Sequence, residues 1–235
     1  MKRNVTIRDG FTLVELLTVI AIIGILAALV MAAVGRAKLS ALRAQGAGNL
    51  RQVGMAVNMY ASEHQGRFPG PGSLGILNYY TKAGRNSNQA IGAQLAPYLG
   101  LPDAATLNTA DVITIPALVD PGFKAVKDPA IAPNYIQNPI LSDQEGVQGK
   151  LLIFGSLASG PKAATQPLSQ MDLTTIGGPA NVWILTNTDQ KLPKALHSGS
   201  GWVPSLPENP VYGKDRLRLY ADGHVVAVPM DAPLL

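Results

Sequence analysis

From Phe11 to Val34 the sequence runs apolar for 24 residues and carries a single charge, Glu15. About 20 apolar residues span the hydrocarbon core of a bilayer, so this run predicts a transmembrane helix over 11–34. Past Val34, apolar residues recur at Leu39, Leu42, Leu50, Val53, Val57 and Tyr60, in steps of three and four apart from one of eight. The helix is therefore expected to continue as an amphipathic segment over 35–65, with one stripe packed under a globular head. The eight-residue step spans RAQGAG, whose two glycines are expected to weaken or bend it. Gly66, Pro69 and Pro71 in SEHQGRFPGPG forbid further helix.

The head, 66–235, reads differently. In NQAIGAQLAPYLGLP, Ile91, Leu95 and Tyr98 fall at helical spacing and predict a short helix ending near Gly100. Prolines 116, 121, 129, 133 and 139 break the next stretch into loops, with a short strand at VITIPALV. KLLIFGSL and NVWILTNTD are apolar, β-branched or aromatic runs bounded by turn residues, hence strands. In DRLRLYADGHVVAVP, Asp222-Gly223 predicts a two-residue type I′ hairpin turn. Folding about it pairs Leu219 with Val226 and Leu217 with Val228, and puts Arg216 and Arg218 on the face opposite the core. The fold class is thus α+β, a long N-terminal helix packed on a C-terminal antiparallel sheet.

Composition narrows the function classes. With 19 basic and 15 acidic residues the net charge is +4, too mild to indicate nucleic acid without clustering. There is no cysteine, which excludes disulfides and thiolate catalysis. No Gly-rich phosphate loop follows a strand, so a nucleotide site has no support.

The opening segment admits three readings. A cleaved secretory signal has a basic start, as Lys2, Arg3 and Arg8 provide, but an apolar core of only 7–15 residues. A plain anchor fits by length. Its orientation stays open on charge, because Arg36, Lys38, Arg43 and Arg51 follow it. Glu15 is the residue that separates them: a carboxylate inside a membrane segment is expensive and usually has a partner or a function, the plain alternative being that, four residues in, it simply reaches the headgroup water.

GFTLVELLTVIAIIGILAALV resembles the N-terminal motif of type IV prepilins and type II secretion pseudopilins. NLRQVGMAVNMYASEHQGRFP is similar to the segment that follows the anchor in many such proteins. The resemblance implies a leader, 1–10, cut between Gly10 and Phe11 by the prepilin peptidase, which then methylates the new amine. It puts Glu15 at the fifth place of the mature chain, where the carboxylate pairs with the terminal amine of a neighbouring subunit. It also implies a pilin-like fold, a cytoplasmic leader, a head outside the bacterial inner membrane, and an inner-membrane assembly platform as a partner. Further partners are other pilin or pseudopilin subunits and membrane lipid.

ILTNTDQKLPKALHSGSG and LRLYADGHVVAV resemble the C-terminal end of a bacterial prepilin-type group that carries a His, a short spacer and an Asp-Gly-His-Val hairpin. Here the spacer from His197 to Asp222 is far longer, as though WVPSLPENPVYGKD were inserted. Asp189, His197, Asp222 and His224 lack the spacing of known hydrolase or zinc motifs, so they read as structural, with Asp222 and Gly223 serving the turn. Major pseudopilins often hold calcium in a C-terminal loop. That makes Glu208, Asn209 and Asp215 candidate ligands, short of the six to eight oxygens calcium takes, and no metal is assigned. The basic cluster Arg36, Lys38, Arg43 and Arg51 is expected to meet lipid headgroups or neighbouring subunits rather than nucleic acid. Two function classes follow. One is a non-enzymatic filament subunit, and the other is a membrane-anchored binding protein that borrows the processing signal.

Overall fold

The computed structural model describes residues 12–83, 90–140, 151–155, 166–193, 196 and 201–233. Helix α1 runs Leu13–Glu63, 51 residues, and is long and apolar enough to cross a membrane. The chain divides into two compact units, Met1–Ala41 and Leu42–Leu235. In the first unit the described large apolar side chains from Leu13 to Val34 are all exposed, which in water would be untenable and in lipid is the expected state. Leu39 is exposed as well, so the buried stripe begins later than its apolar spacing suggests.

In the second unit Leu50, Val53 and Val57 are completely buried, with Ala56 and Ala61 beside them. They share one core with Ile184, Leu185, Leu217 and Leu219 of the sheet. α1 stays helical through RAQGAG, and the reason lies in packing. Gly46 is buried, four residues from both Leu42 and Leu50, and fills the apparent eight-residue gap in the stripe. A Cβ there would collide with the Tyr212 hydroxyl and lie 3.2 Å from Leu217 Cδ1. A Cβ on Gly54 would come within 2.8 Å of Leu219 Cδ1. The two glycines let helix and sheet approach closely.

This predicts opposite outcomes for neighbouring substitutions. Tyr212 cannot swing aside, because its hydroxyl donates to the Asp120 carboxylate at 2.5 Å. Gly46→Ala should therefore destabilise the head by about 1–3 kcal/mol through overpacking. Gly48 has nothing within 4 Å of a Cβ, so Gly48→Ala should stabilise by up to about 1 kcal/mol through helix propensity. Denaturant melts of the two variants should move in opposite directions.

α1 ends where Gln65 and Gly66 take positive φ and Gly66 N–H donates to the Ala61 carbonyl. The head sheet has five antiparallel strands in the order β1 (Gly75–Ile76), β4 (Tyr135–Gln137), β7 (Trp183–Asn187), β8 (Asp215–Tyr220), β9 (Val225–Pro229). Two ribbons stand apart from it. One pairs β2 (Tyr79–Thr81) with β3 (Val112–Thr114), and the other pairs β5 (Pro139–Ile140) with β6 (Leu151–Leu152). Short helices α2 (Ala90–Leu95), α3 (Pro121–Lys124) and α4 (Gln170–Thr174) lie among the described residues of the head. α2 passes into a 3₁₀ turn over Pro97–Leu99 that stops at Gly100 in the left-handed region, close to the expected end. The α+β architecture is pilin-like: a long N-terminal helix and a five-stranded antiparallel sheet.

The hairpin corrects the expected register. Leu219 pairs with Val225, Arg218 with Val226, Leu217 with Ala227 and Arg216 with Val228. The loop holds three residues: Gly223 N–H donates to the Tyr220 carbonyl, and Tyr220 N–H to the His224 carbonyl, each at 2.9 Å. A type I′ turn needs positive φ at both central residues, but only Gly223, at 95°, has it. The outcome is a type I turn followed by a glycine bulge, which moves β9 by one residue and so turns it over. Val225 and Ala227 now pack on the core, while Val226 is left 40% exposed.

The second face of the sheet is covered over β8, though Val226 beside it stays exposed. Arg216 and Arg218 lie on it yet are 3% and 8% exposed. Arg216 makes a fork with the buried Asp189, Nε to Oδ2 at 2.6 Å and Nη2 to Oδ1 at 2.9 Å, and donates from Nη1 to the Met230 carbonyl. Arg218 lies 5.3 Å over the Trp183 ring and donates to the Pro233 carbonyl. Burial lowers the pKa of Arg218 from its ordinary value. Guanidinium stems and a tryptophan close this face.

Candidate functional site

The start of α1 carries the processing and assembly candidates. Gly10 and Phe11 lie outside the described residues. Glu15 is exposed and sits on the third helical residue. Its Oε2 accepts from both the N–H and the hydroxyl of Thr12, each at 2.8 Å, while Thr12 Oγ1 accepts from Glu15 N–H at 3.2 Å. This reciprocal arrangement is a capping box, which satisfies two of the four N–H groups that a helix start leaves open. The signal was present in the sequence as Thr-x-x-Glu ahead of an apolar run, and reading Glu15 only as an intersubunit partner passes over it. The carboxylate therefore has a local task before any neighbour arrives. Two oxygens with about four lone-pair directions leave capacity for a second, charged donor.

In the head, Asp222 and Gly223 form the hairpin tip. Asp222 Oδ1 accepts from His224 N–H at 3.1 Å and contacts His224 Nδ1 at 2.6 Å, and the imidazole stacks on Tyr220 with centroids 4.3 Å apart. Asp189 belongs to the buried fork with Arg216 described above. His197 lies outside the described residues. Among the calcium candidates, Glu208 and Asn209 are exposed, while Asp215 Oδ2 is engaged by Arg43 Nη2 at 2.8 Å. Among the described residues no group of three or more His, Asp or Glu side chains is placed to hold a metal. Arg43, expected at lipid or a neighbouring subunit, thus meets its own head.

The head also holds a buried carboxylate that no motif or spacing singles out. Asp120, fully buried, accepts from Tyr212, Asn187 and the N–H groups of Gly122 and Phe123. Burial pushes its carboxyl above the ordinary range, and those four hydrogen bonds offset only part of the rise. Burial and the neighbouring Asp120 push the Tyr212 hydroxyl up in turn. Such a network fixes where Tyr212 stands under Gly46, a structural task.

Residues 7–31 match the family described as the prokaryotic N-terminal methylation motif. No curated protein and no solved structure matches the chain. The match spans the residues around Gly10, Phe11 and Glu15 and stops short of the head. The N terminus is thus prepilin-like, matching the methylation motif, and it belongs to a chain of pilin-like α+β architecture.

Proposed function

We propose that this chain is a structural subunit of a type IV pilus-like or type II secretion pseudopilus filament. Prepilin peptidase cuts it between Gly10 and Phe11 and methylates the new amine, and the mature chain assembles through its N-terminal helix. The observation that carries this reading is the methylation motif over residues 7–31, with a carboxylate at the fifth residue after the proposed cut, in a helix apolar enough to lie in the membrane. The leader faces the cytoplasm and the head lies outside the inner membrane, in contact with sibling subunits and an assembly platform. Nothing catalytic is asked of the head in this role.

Processing is tested at Gly10. Its Cβ-free backbone suits close approach by a peptidase, so a bulky replacement such as Gly10→Val should leave the leader attached. N-terminal sequencing of wild type should begin at an N-methylated Phe11. A start after Ala33 or Gly35 would instead identify an ordinary secretory signal. Filament membership is tested by shearing cells, which releases a filament subunit and retains a monomeric anchored protein.

A further inference from the structure

Arg216 and Arg218 stand at alternate positions of β8, on one face of the sheet, and their guanidinium groups are bonded alike except along one edge. In each, Nη1 donates to a carbonyl of the tail that follows β9, Arg216 to Met230 and Arg218 to Pro233, both at 2.7 Å. In Arg216 the edge formed by Nε and Nη2 holds a carboxylate, with Nε to Asp189 Oδ2 at 2.6 Å and Nη2 to Oδ1 at 2.9 Å. In Arg218 the same edge meets no carboxylate among the described residues. Its Nη2 has only the Ala232 carbonyl, at a long 3.4 Å, and its Nε is buried with no acceptor.

This difference between the two residues is costly where it stands. Arg218 is 8% exposed, and a guanidinium held out of water without a counter-charge is a strained arrangement. Burial lowers its pKa, Tyr220 beside it offsets part of the fall, and the charge of Arg216 adds to it. The Trp183 ring, 5.3 Å from Cζ, attracts the cation but supplies no acceptor for Nε. The tail supplies neutral carbonyls, which leave the charge uncompensated. Asp231, on that tail, is exposed and forms no ion pair with Arg218. The edge itself is selective. Nε–H and Nη2–H are parallel donors in one plane, and the two oxygens of a carboxylate match them, as Asp189 does on Arg216. A neutral amide brings one oxygen and fills half of the fork. The cover is light, since Pro233 is exposed and the Ala232 contact is already long.

We infer that the Nε–Nη2 edge of Arg218 is a recognition site for a carboxylate brought by a partner polypeptide, either as an acidic side chain or as a free C terminus. The ligand takes the place toward Arg218 that Asp189 takes toward Arg216, and the Ala232 carbonyl gives way to it. The test is two-dimensional proton–nitrogen NMR of the arginine Nε–H groups, on the full chain in neutral detergent and chloride buffer of fixed ionic strength. The Arg218 signal is identified by its contact with the Trp183 ring protons and by its loss in Arg218→Lys. Nα-acetyl-glutamate amide presents a side-chain carboxylate, Nα-acetyl-alanine a C-terminal one, and Nα-acetyl-glutamine amide the neutral isostere. Saturable downfield movement of the Arg218 Hε with either carboxylate supports the site, and the tighter binder identifies the source. Arg218→Lys keeps the charge and loses the fork, so the same ligand, followed by its own line broadening, should bind about tenfold more weakly. Should that variant melt early, the wild-type signal located through Trp183 still decides. Equal movement with the glutamine amide, movement with inorganic phosphate alone, or no saturable movement overturns the inference.

Discussion

Glu15→Ala should abolish incorporation into filaments while leaving the head folded and the leader cut. On the proposed reading Glu15 is the fifth mature residue and lies where water is scarce, and there a charged partner is worth far more than at the surface. Removing one half of such a pair costs on the order of 3–5 kcal/mol, enough to stop ordered addition of subunits. The capping box supplies a competing account, because Glu15 also closes the start of α1 with Thr12. Two further substitutions separate them. Glu15→Gln keeps a capping-box side chain and loses the charge, whereas Thr12→Ala loses the cap and keeps the charge. If assembly rests on charge, the Gln variant should fail like Ala, and Thr12→Ala should assemble with a loss of only about 1 kcal/mol in helix stability. If the cap is what matters, the two phenotypes exchange. The readout is polymer released by shearing, measured beside leader cleavage in the same cells. Normal polymer from both Glu15 variants would remove the carboxylate from the assembly mechanism.

The second large effect is expected in the head. Asp189→Asn should destabilise it by about 3–5 kcal/mol, because the buried guanidinium of Arg216 then lacks its counter-charge. The loss extends past the pair itself. Asp189 also accepts from Lys191 N–H at 2.8 Å, which holds the turn after β7. The control is the double variant Asp189→Leu with Arg216→Met, which removes both charges and should recover part of the loss. Denaturant melts of full-length protein in detergent give the comparison, and leader cleavage should be unchanged in all of them. A single variant as stable as wild type would show that the fork contributes little to the fold.

The N-terminal helix was legible because lipid imposes a pattern with few exceptions: a long apolar run can only be a helix there. β7 and the DRLRLY hairpin were legible in existence for a similar reason, since β-branched runs between turn residues have few other homes. What escaped was local or small. Gly46 is part of the buried stripe, yet a residue without a side chain carries no hydrophobic signal. The hairpin register failed because Asp222-Gly223 serves both a two-residue and a three-residue turn, and only backbone angles decide between them. Arg216 and Arg218 were placed on the correct face but not inside the protein. Their burial depends on Asp189, 27 residues before Arg216, and on the carbonyls of Met230 and Pro233. At the candidate site the matched motif announced itself, whereas the Thr12 cap was visible in four letters and simply outranked by Glu15's more conspicuous charge.

Close approach at Gly46 and Gly54 bears on how a map of mutational sensitivity should be read for this chain. Both positions sit among charged and polar residues on the helix, Arg43 and Arg51 among them, where a scan for interaction surfaces would look first. Side chains introduced at either would score as loss of function, and the temptation would be to draw a partner there. The buried hydroxyl of Tyr212 and the methyl of Leu219 give the reason instead. Such hits report the thickness of the seam between helix and sheet, and a genuine contact surface is better sought at side chains such as Met55 and Met59, which stand out from the helix and can be changed without moving the sheet.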